Sequence, residues 1–132
     1  MNKIVSLVIK AYNKCELFQF GIESLKNQSY DMDKFEVVLV DDGSTDGLIP
    51  MVTRHSLPFQ FKLVIFPRNM GRAAAWNGGI KAAEGDIVIL VDADCVFPKE
   101  FIANHVKYHN RERVVVSGAA NYFPLYTYMY PE

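Results

Sequence analysis

The sequence predicts an α/β domain built on a doubly wound, mostly parallel sheet, and three observations predict it. Short apolar runs alternate with stretches whose apolar residues recur every three or four positions, as strands spaced by crossover helices would. The run Ile87–Val91 is unbroken and rich in β-branched residues, which reads as a strand buried on both faces. Two of the runs end in acidic groups, Asp41-Asp42 and Asp92 with Asp94. In a parallel sheet both ends fall on one edge, the edge where ligands bind.

The elements follow in order. Ile4–Ile9 is the first strand. Cys15, Phe18, Ile22 and Leu25 mark one face of a helix ending near Gln28. Ser29 to Asp33 is a polar turn. Phe35–Val40 is the second strand and runs into Asp41-Asp42-Gly43-Ser44-Thr45-Asp46. Ser44, Thr45 or Asp46 is expected to cap the next helix, which carries Leu48, Val52 and His55 on one face. Pro50 falls near its first turn, where a missing amide is tolerated. Leu57-Pro58 breaks the chain, and Phe61–Phe66 is the third strand. An Ala-rich helix runs from Arg72 to Ala83 despite Gly78 and Gly79, and Glu84-Gly85 stops it. After the fourth strand, Pro98 is expected to open another helix. Val114–Val116 is expected to form a short fifth strand. The aromatic stretch Asn121–Tyr130 has no charge to balance it, so it should cover another surface or be covered.

Composition narrows the function classes. The chain has 132 residues, which suits one modest domain, residues 1–132. Half of it is hydrophobic, and the formal net charge is −1 with scattered Lys and Arg. A duplex nucleic-acid binder would carry a basic stripe, so no nucleic acid is expected as partner. No apolar segment reaches the roughly 18 residues of a membrane span. The apolar part of the N-terminus is too short for a secretory signal. Cys15 and Cys95 are too few for a disulfide framework or a zinc site and read as small buried residues. The expected location is the cytoplasm, or a peripheral place on the inner face of the membrane.

Asp92 and Asp94 are spaced i, i+2, so in an extended segment they point the same way. Two carboxylates on one side suit Mg²⁺ or Mn²⁺, and such an ion would hold phosphates. Taken alone, such a pair is more often a solvated strand end. Asp41 and Asp42 alone would cap a helix or make an Asx turn. His105 and His109 sit i, i+4 but have no third ligand in view.

Four blocks in order resemble the N-terminal half of the family-two inverting glycosyltransferases of the GT-A fold. They are Val5-Ser-Leu-Val-Ile-Lys-Ala-Tyr-Asn13, Val38-Leu-Val-Asp-Asp-Gly-Ser-Thr-Asp46, Asn69-Met-Gly-Arg-Ala-Ala-Ala-Trp-Asn77 and Gly85-Asp-Ile-Val-Ile-Leu-Val-Asp-Ala-Asp94, the last carrying a D-x-D motif. The resemblance implies a Rossmann-like GT-A sheet cut after about five strands, holding a nucleotide-sugar donor with the acceptor-binding half missing. Ala11 and Tyr12 would line the base pocket. Asp42 would accept from the base, typically the N3–H of uracil, with Asp41 in support. Arg72 would lie near the base or phosphates. Asp92 would face the ribose or the metal, and Asp94 would be the chief ligand of Mn²⁺ or Mg²⁺. The donor would be a UDP-sugar and the acceptor a saccharide or glycolipid, in polysaccharide or glycoconjugate synthesis. A homo-oligomer or a membrane-associated partner would complete the assembly.

Departures from the family pattern stand beside it. Lys10-Ala11 replaces the common Pro-Thr, and Lys10 either adds charge near the nucleotide or reaches solvent. Trp76 stands where Arg is common and reads as core or interface. No residue is assigned as the base that deprotonates an acceptor, which leaves a non-catalytic nucleotide-sugar-binding module as the alternative. A haloacid-dehalogenase-type phosphatase would place Asp92 on the first strand, not the fourth. A receiver-type domain would need a Lys near Ser117–Ala120, where there is none.

Overall fold

A computed structural model of the chain describes residues 4–120. The apolar runs form four strands: β1 Val5–Ala11, β2 Phe35–Asp41, β3 Gln60–Ile65 and β4 Ile87–Asp92. All pair in parallel, in the order β3-β2-β1-β4. Helices α1 Cys15–Lys26, α2 Leu48–Thr53 and α3 Arg72–Ala82 connect them, and α4 Phe101–Tyr108 follows β4. A 3₁₀ turn, Met32–Lys34, leads into β2, with the Asp31 side chain accepting from the Asp33 N–H.

The strand period divides the core in two. Val5, Leu7, Ile9 and Ala11 point to the face covered by α1, α2 and α4, where they pack with Phe18, Ile22, Leu25, Leu48, Val52 and Ile102. Val8, Val38 and Val40 point the other way, against Ala75 of α3. The α3 backbone lies close on that face: a Cβ added at Gly79 would stand 2.2 Å from Val8 Cγ1. Gly79 thus belongs to the sheet contact and does not interrupt the helix. Helices on both faces make the sheet doubly wound, as expected from the strand–helix alternation.

Away from the carboxyl edge, one buried ionic group fastens the sheet. Glu36, 2% exposed, accepts from Ser6 Oγ at 2.6 Å and from the Glu84 N–H at 2.8 Å. Its other oxygen pairs with Lys62 Nζ at 2.7 Å, and Lys62 also reaches Glu84. Burial pushes the Glu36 carboxyl up. The bonds from Lys62, Ser6 and Glu84 outweigh it, so the pKa lies below the ordinary glutamate value. The group ties β1, β2 and β3 to the turn that starts β4.

Three expectations are corrected. Val114–Val116 is not a strand: residues 114–120 carry no regular structure, and Val115 is almost fully exposed. Three apolar residues without a paired neighbour do not bury enough to hold a strand. The fourth strand is buried on one face only. Ile87 and Ile89 are covered, but Val88 and Leu90 are 39% and 46% exposed. An apolar run does not say what covers its second face, and among the described residues nothing covers this part. Pro98 does not open α4, which starts at Phe101 after a turn closed by the Phe101 N–H to Pro98 oxygen bond. The stretch 121–130 lies outside the described residues. Among the described residues, no helix is long and apolar enough to cross a membrane.

Candidate donor site at the carboxyl edge of the sheet

The register places the acidic strand ends side by side. Ala11 pairs with Asp41, and Lys10 with Asp92, so β1 lies between the two acidic groups. The backbone continues this order past the strands: the Asp42 N–H bonds to the Ala11 oxygen, and the Ala93 N–H to the Lys10 oxygen.

The two loops beyond β1 and β2 are laced together. Asn13, in the left-handed region at φ +51°, accepts through its side chain from the Thr45 N–H, while Ser44 Oγ accepts from the Asn13 N–H. Asp41 Oδ1 accepts from the Ser44 N–H three residues on, fastening the loop after β2. Gly43 lets the loop after β3 come close, since a Cβ there would fall 2.4 Å from the Arg68 carbonyl carbon. One sequence expectation changes here. None of Ser44, Thr45 and Asp46 caps α2, whose N-cap is Gly47 with no side-chain bond. Asp46 Oδ2 instead accepts from the Cys15 N–H at 2.8 Å, serving the first turn of α1.

Asp42 is 5% exposed. Its Oδ1 accepts from the Met70 N–H at 2.6 Å and its Oδ2 from the Gly71 N–H at 3.2 Å. The carboxylate therefore holds the start of α3 against the end of β2. Each oxygen keeps a second lone pair for a ligand. Lys10, Ala11, Tyr12, Asp42, Asn69, Gly71, Arg72 and Ala75 line a cleft of about 160 Å³.

Four expected donor-site residues thus come together in the cleft: Ala11, Tyr12, Asp42 and Arg72. Asp41 does not line it; its side chain is spent on the Ser44 turn behind. Asp92 and Asp94 stand beside the cleft, half-exposed, each facing a lysine. Asp92 pairs with Lys10, and Asp94 lies 3.5 Å from Lys14 Nζ. The Lys10 ammonium also stands 5.2 Å from the centre of the Trp76 ring. Sequence reasoning left Lys10 undecided and gave Lys14 no role. Among the described residues no group of three His, Cys, Asp or Glu side chains is placed to hold a metal ion. A divalent ion held by one or two carboxylates and completed by ligand phosphates needs no such cluster, and Asp94 with Asp92 fits that demand. Burial, then the nearby Asp94 charge, raises the Cys95 thiol, which stays protonated.

With this geometry in place, comparison with known proteins decides the family. The model for Glycosyl transferase family 2 matches residues 6–130. The chain belongs to Glycosyl transferase family 2. An undecaprenyl-phosphate 4-deoxy-4-formamido-L-arabinose transferase of Pseudomonas syringae pv. syringae is 37% identical over 80% of the chain and 32% of its own length. The mannosyltransferase PcManGT of Pyrobaculum calidifontis, solved with GDP-Man and Mn²⁺, superposes with a TM-score of 0.79 at 33% identity, over 85% of this chain and 34% of that one. S. aureus TarS 1–349 with UDP-GlcNAc gives 0.74 at 29% identity, over 80% and 30%. The four-stranded parallel sheet flanked by helices matches these GT-A-like neighbours. The chain spans about a third of the length of the curated relatives it matches.

Proposed function

We propose that this family-2 chain is the donor-binding part of a metal-dependent, inverting glycosyltransferase that uses a UDP-sugar. The observation that carries the proposal is the cleft at the ends of β1 and β2, with a buried carboxylate at one side and the Asp92–Asp94 pair at the other. In this reading Tyr12 and Ala11 line the base, and Asp42 accepts from its imide N–H through the lone pairs left by Met70 and Gly71. Asp41 acts one step back, by holding the loop that carries Asp42. Arg72, in the first turn of α3, faces the negative charge of the donor.

A nucleoside diphosphate leaves with growing negative charge, so groups placed at the phosphates lower the barrier. Mn²⁺ or Mg²⁺ bound through Asp94, with Asp92 beside it, would supply Lewis-acid stabilisation of that leaving group. An acceptor hydroxyl then displaces the diphosphate from the opposite side of the anomeric carbon, which inverts it. A base must take the hydroxyl proton, and none of the described residues is assigned to that step. The undecaprenyl-phosphate in the name of one relative supports a glycolipid acceptor; a saccharide acceptor, a role in polysaccharide or glycoconjugate synthesis and work at the inner membrane face are part of the same reading. A homo-oligomer or membrane-associated partner belongs to the same proposal.

A GDP-sugar donor is the second reading, favoured by the GDP-Man held by PcManGT. Guanine offers a carboxylate two neighbouring donors, N1–H and N2–H, where uracil offers one. Competitive binding of UDP and GDP in the presence of Mn²⁺ separates the readings. Tighter UDP binding is expected. Tighter GDP binding would move the assignment to guanine, and binding of neither by the folded chain would overturn the donor site.

A further inference from the structure

We propose that Lys10 binds the diphosphate of the donor directly, so that the site keeps part of its affinity for a nucleoside diphosphate without a metal ion. The inference rests on the donor-site reading above and adds a residue to it. Its first ground is position. The sheet order places β1 between β2, whose end leads straight into Asp42, and β4, which ends at Asp92. These flanking strands lie about 10 Å apart, two strand spacings. A ligand with its base at Asp42 and its phosphates near Asp94 must cross the end of β1. Lys10 is the next-to-last residue of β1 and lines the cleft with Asp42.

The second ground is how the ammonium is held. The Lys10 side chain is only 18% exposed. Its stem lies in the fold, and its charged end is fixed between the Asp92 carboxylate and the face of Trp76. A cation withdrawn from water acts more strongly on a nearby phosphate than one in solvent. A cation already ordered also loses little freedom when the ligand arrives.

The third ground is the contrast between the two lysine–aspartate pairs. Lys14 and Asp94 are both 42% exposed and stand 3.5 Å apart. Such a pair is solvent-screened and easily parted. Lys10 and Asp92 are in direct contact, with the lysine mostly buried. Asp94 is therefore the carboxylate more readily given to a divalent ion, and Asp92 stays with Lys10. Lys10 lines the cleft, so its ammonium stands beside the path of the diphosphate, shared with Asp92 and next to the ion rather than in place of it.

The test is titration of UDP, GDP, uridine and guanosine into wild type, Lys10→Met and Lys10→Arg, with and without Mn²⁺, with melting curves to confirm folding. Lys10→Met should weaken metal-free binding of the preferred diphosphate by about tenfold or more, the scale of a charge-assisted contact. The loss should be smaller with Mn²⁺, nucleoside binding should stay as in wild type, and Lys10→Arg should retain diphosphate binding. Unchanged diphosphate affinity in folded Lys10→Met, or an equal loss for nucleoside and diphosphate, would overturn the role and leave Lys10 as a structural partner of Asp92. If wild type binds neither diphosphate even with Mn²⁺, the donor-site reading itself fails. Wild-type binding matched by Lys10→Met defeats the Lys10 proposal alone.

Discussion

Asp42 holds a loop with both carboxylate oxygens, and that task limits the base-reading role proposed for it. Both oxygens accept from backbone N–H groups of the loop that starts α3. An Asn there would keep one acceptor and turn an NH₂ donor toward an N–H. Asp42→Asn should therefore cost about 1–3 kcal/mol of stability, the penalty of an unpaired buried group. It should also remove nucleotide binding, because the loop shifts and the acceptor is lost. Urea unfolding beside nucleotide titration checks both. The sequence singled out Asp42, since Asp41-Asp42-Gly43-Ser44 is a recognisable block. It did not show that the adjacent carboxylates divide the work, because that depends on which N–H groups the returning loops present. Lys10 was undecided for a similar reason. Its partner Asp92 is far along the chain, and only strand pairing brings them together.

At the scale of elements, the strand–helix alternation was legible because each apolar period is long enough to be read. Four strands and four helices formed in the expected order, with boundaries moved by one to three residues. The fifth strand failed because a strand of three residues depends on a neighbour. Capping of α2 was misread because Asp46, placed well to cap it, reaches across to α1 instead. Helix α3 shows how tertiary contact overrides propensity. Replacing Gly79 by Ala would favour an isolated helix by about 0.5–1 kcal/mol. Here the new methyl would meet Val8 at 2.2 Å and Val40 at 2.9 Å. Gly79→Ala should destabilise the protein by about 1–3 kcal/mol, the usual scale of overpacking. Thermal unfolding reads the sign directly, and a stabilised variant would contradict the packing described for α3.

For the whole molecule, the buried Glu36 group and the proposed donor cleft lie at opposite ends of the same sheet. The Glu36 group sits near the strand starts and the cleft at the strand ends. Glu36 has a folded pKa below its unfolded value of about 4.3. Its contribution is therefore present above that value and lost as pH falls through the folded pKa, where the unfolded chain takes up the proton first. Glu36→Gln should lower the melting temperature at pH 7 and flatten its decline below about pH 4.3. An equally steep acid decline in the variant would assign that decline to other carboxylates. The opposite end of the sheet was the more legible in sequence, because the strand ends there concentrate Asp, Asn and Gly in short blocks. The Glu36 group left no such trace, being single residues on three strands and one turn.

The measurement that tests the central claim most directly is calorimetric titration of UDP with and without Mn²⁺, in wild type and in Asp94→Asn. Mn²⁺ should tighten UDP binding about tenfold or more in wild type, the effect of placing a divalent charge at the diphosphate. The gain should vanish in Asp94→Asn while the weak metal-free binding remains. A folded wild-type chain whose UDP affinity ignores Mn²⁺, or an Asp94→Asn variant with the full Mn²⁺ gain, would contradict a donor site organised around the strand-end aspartates.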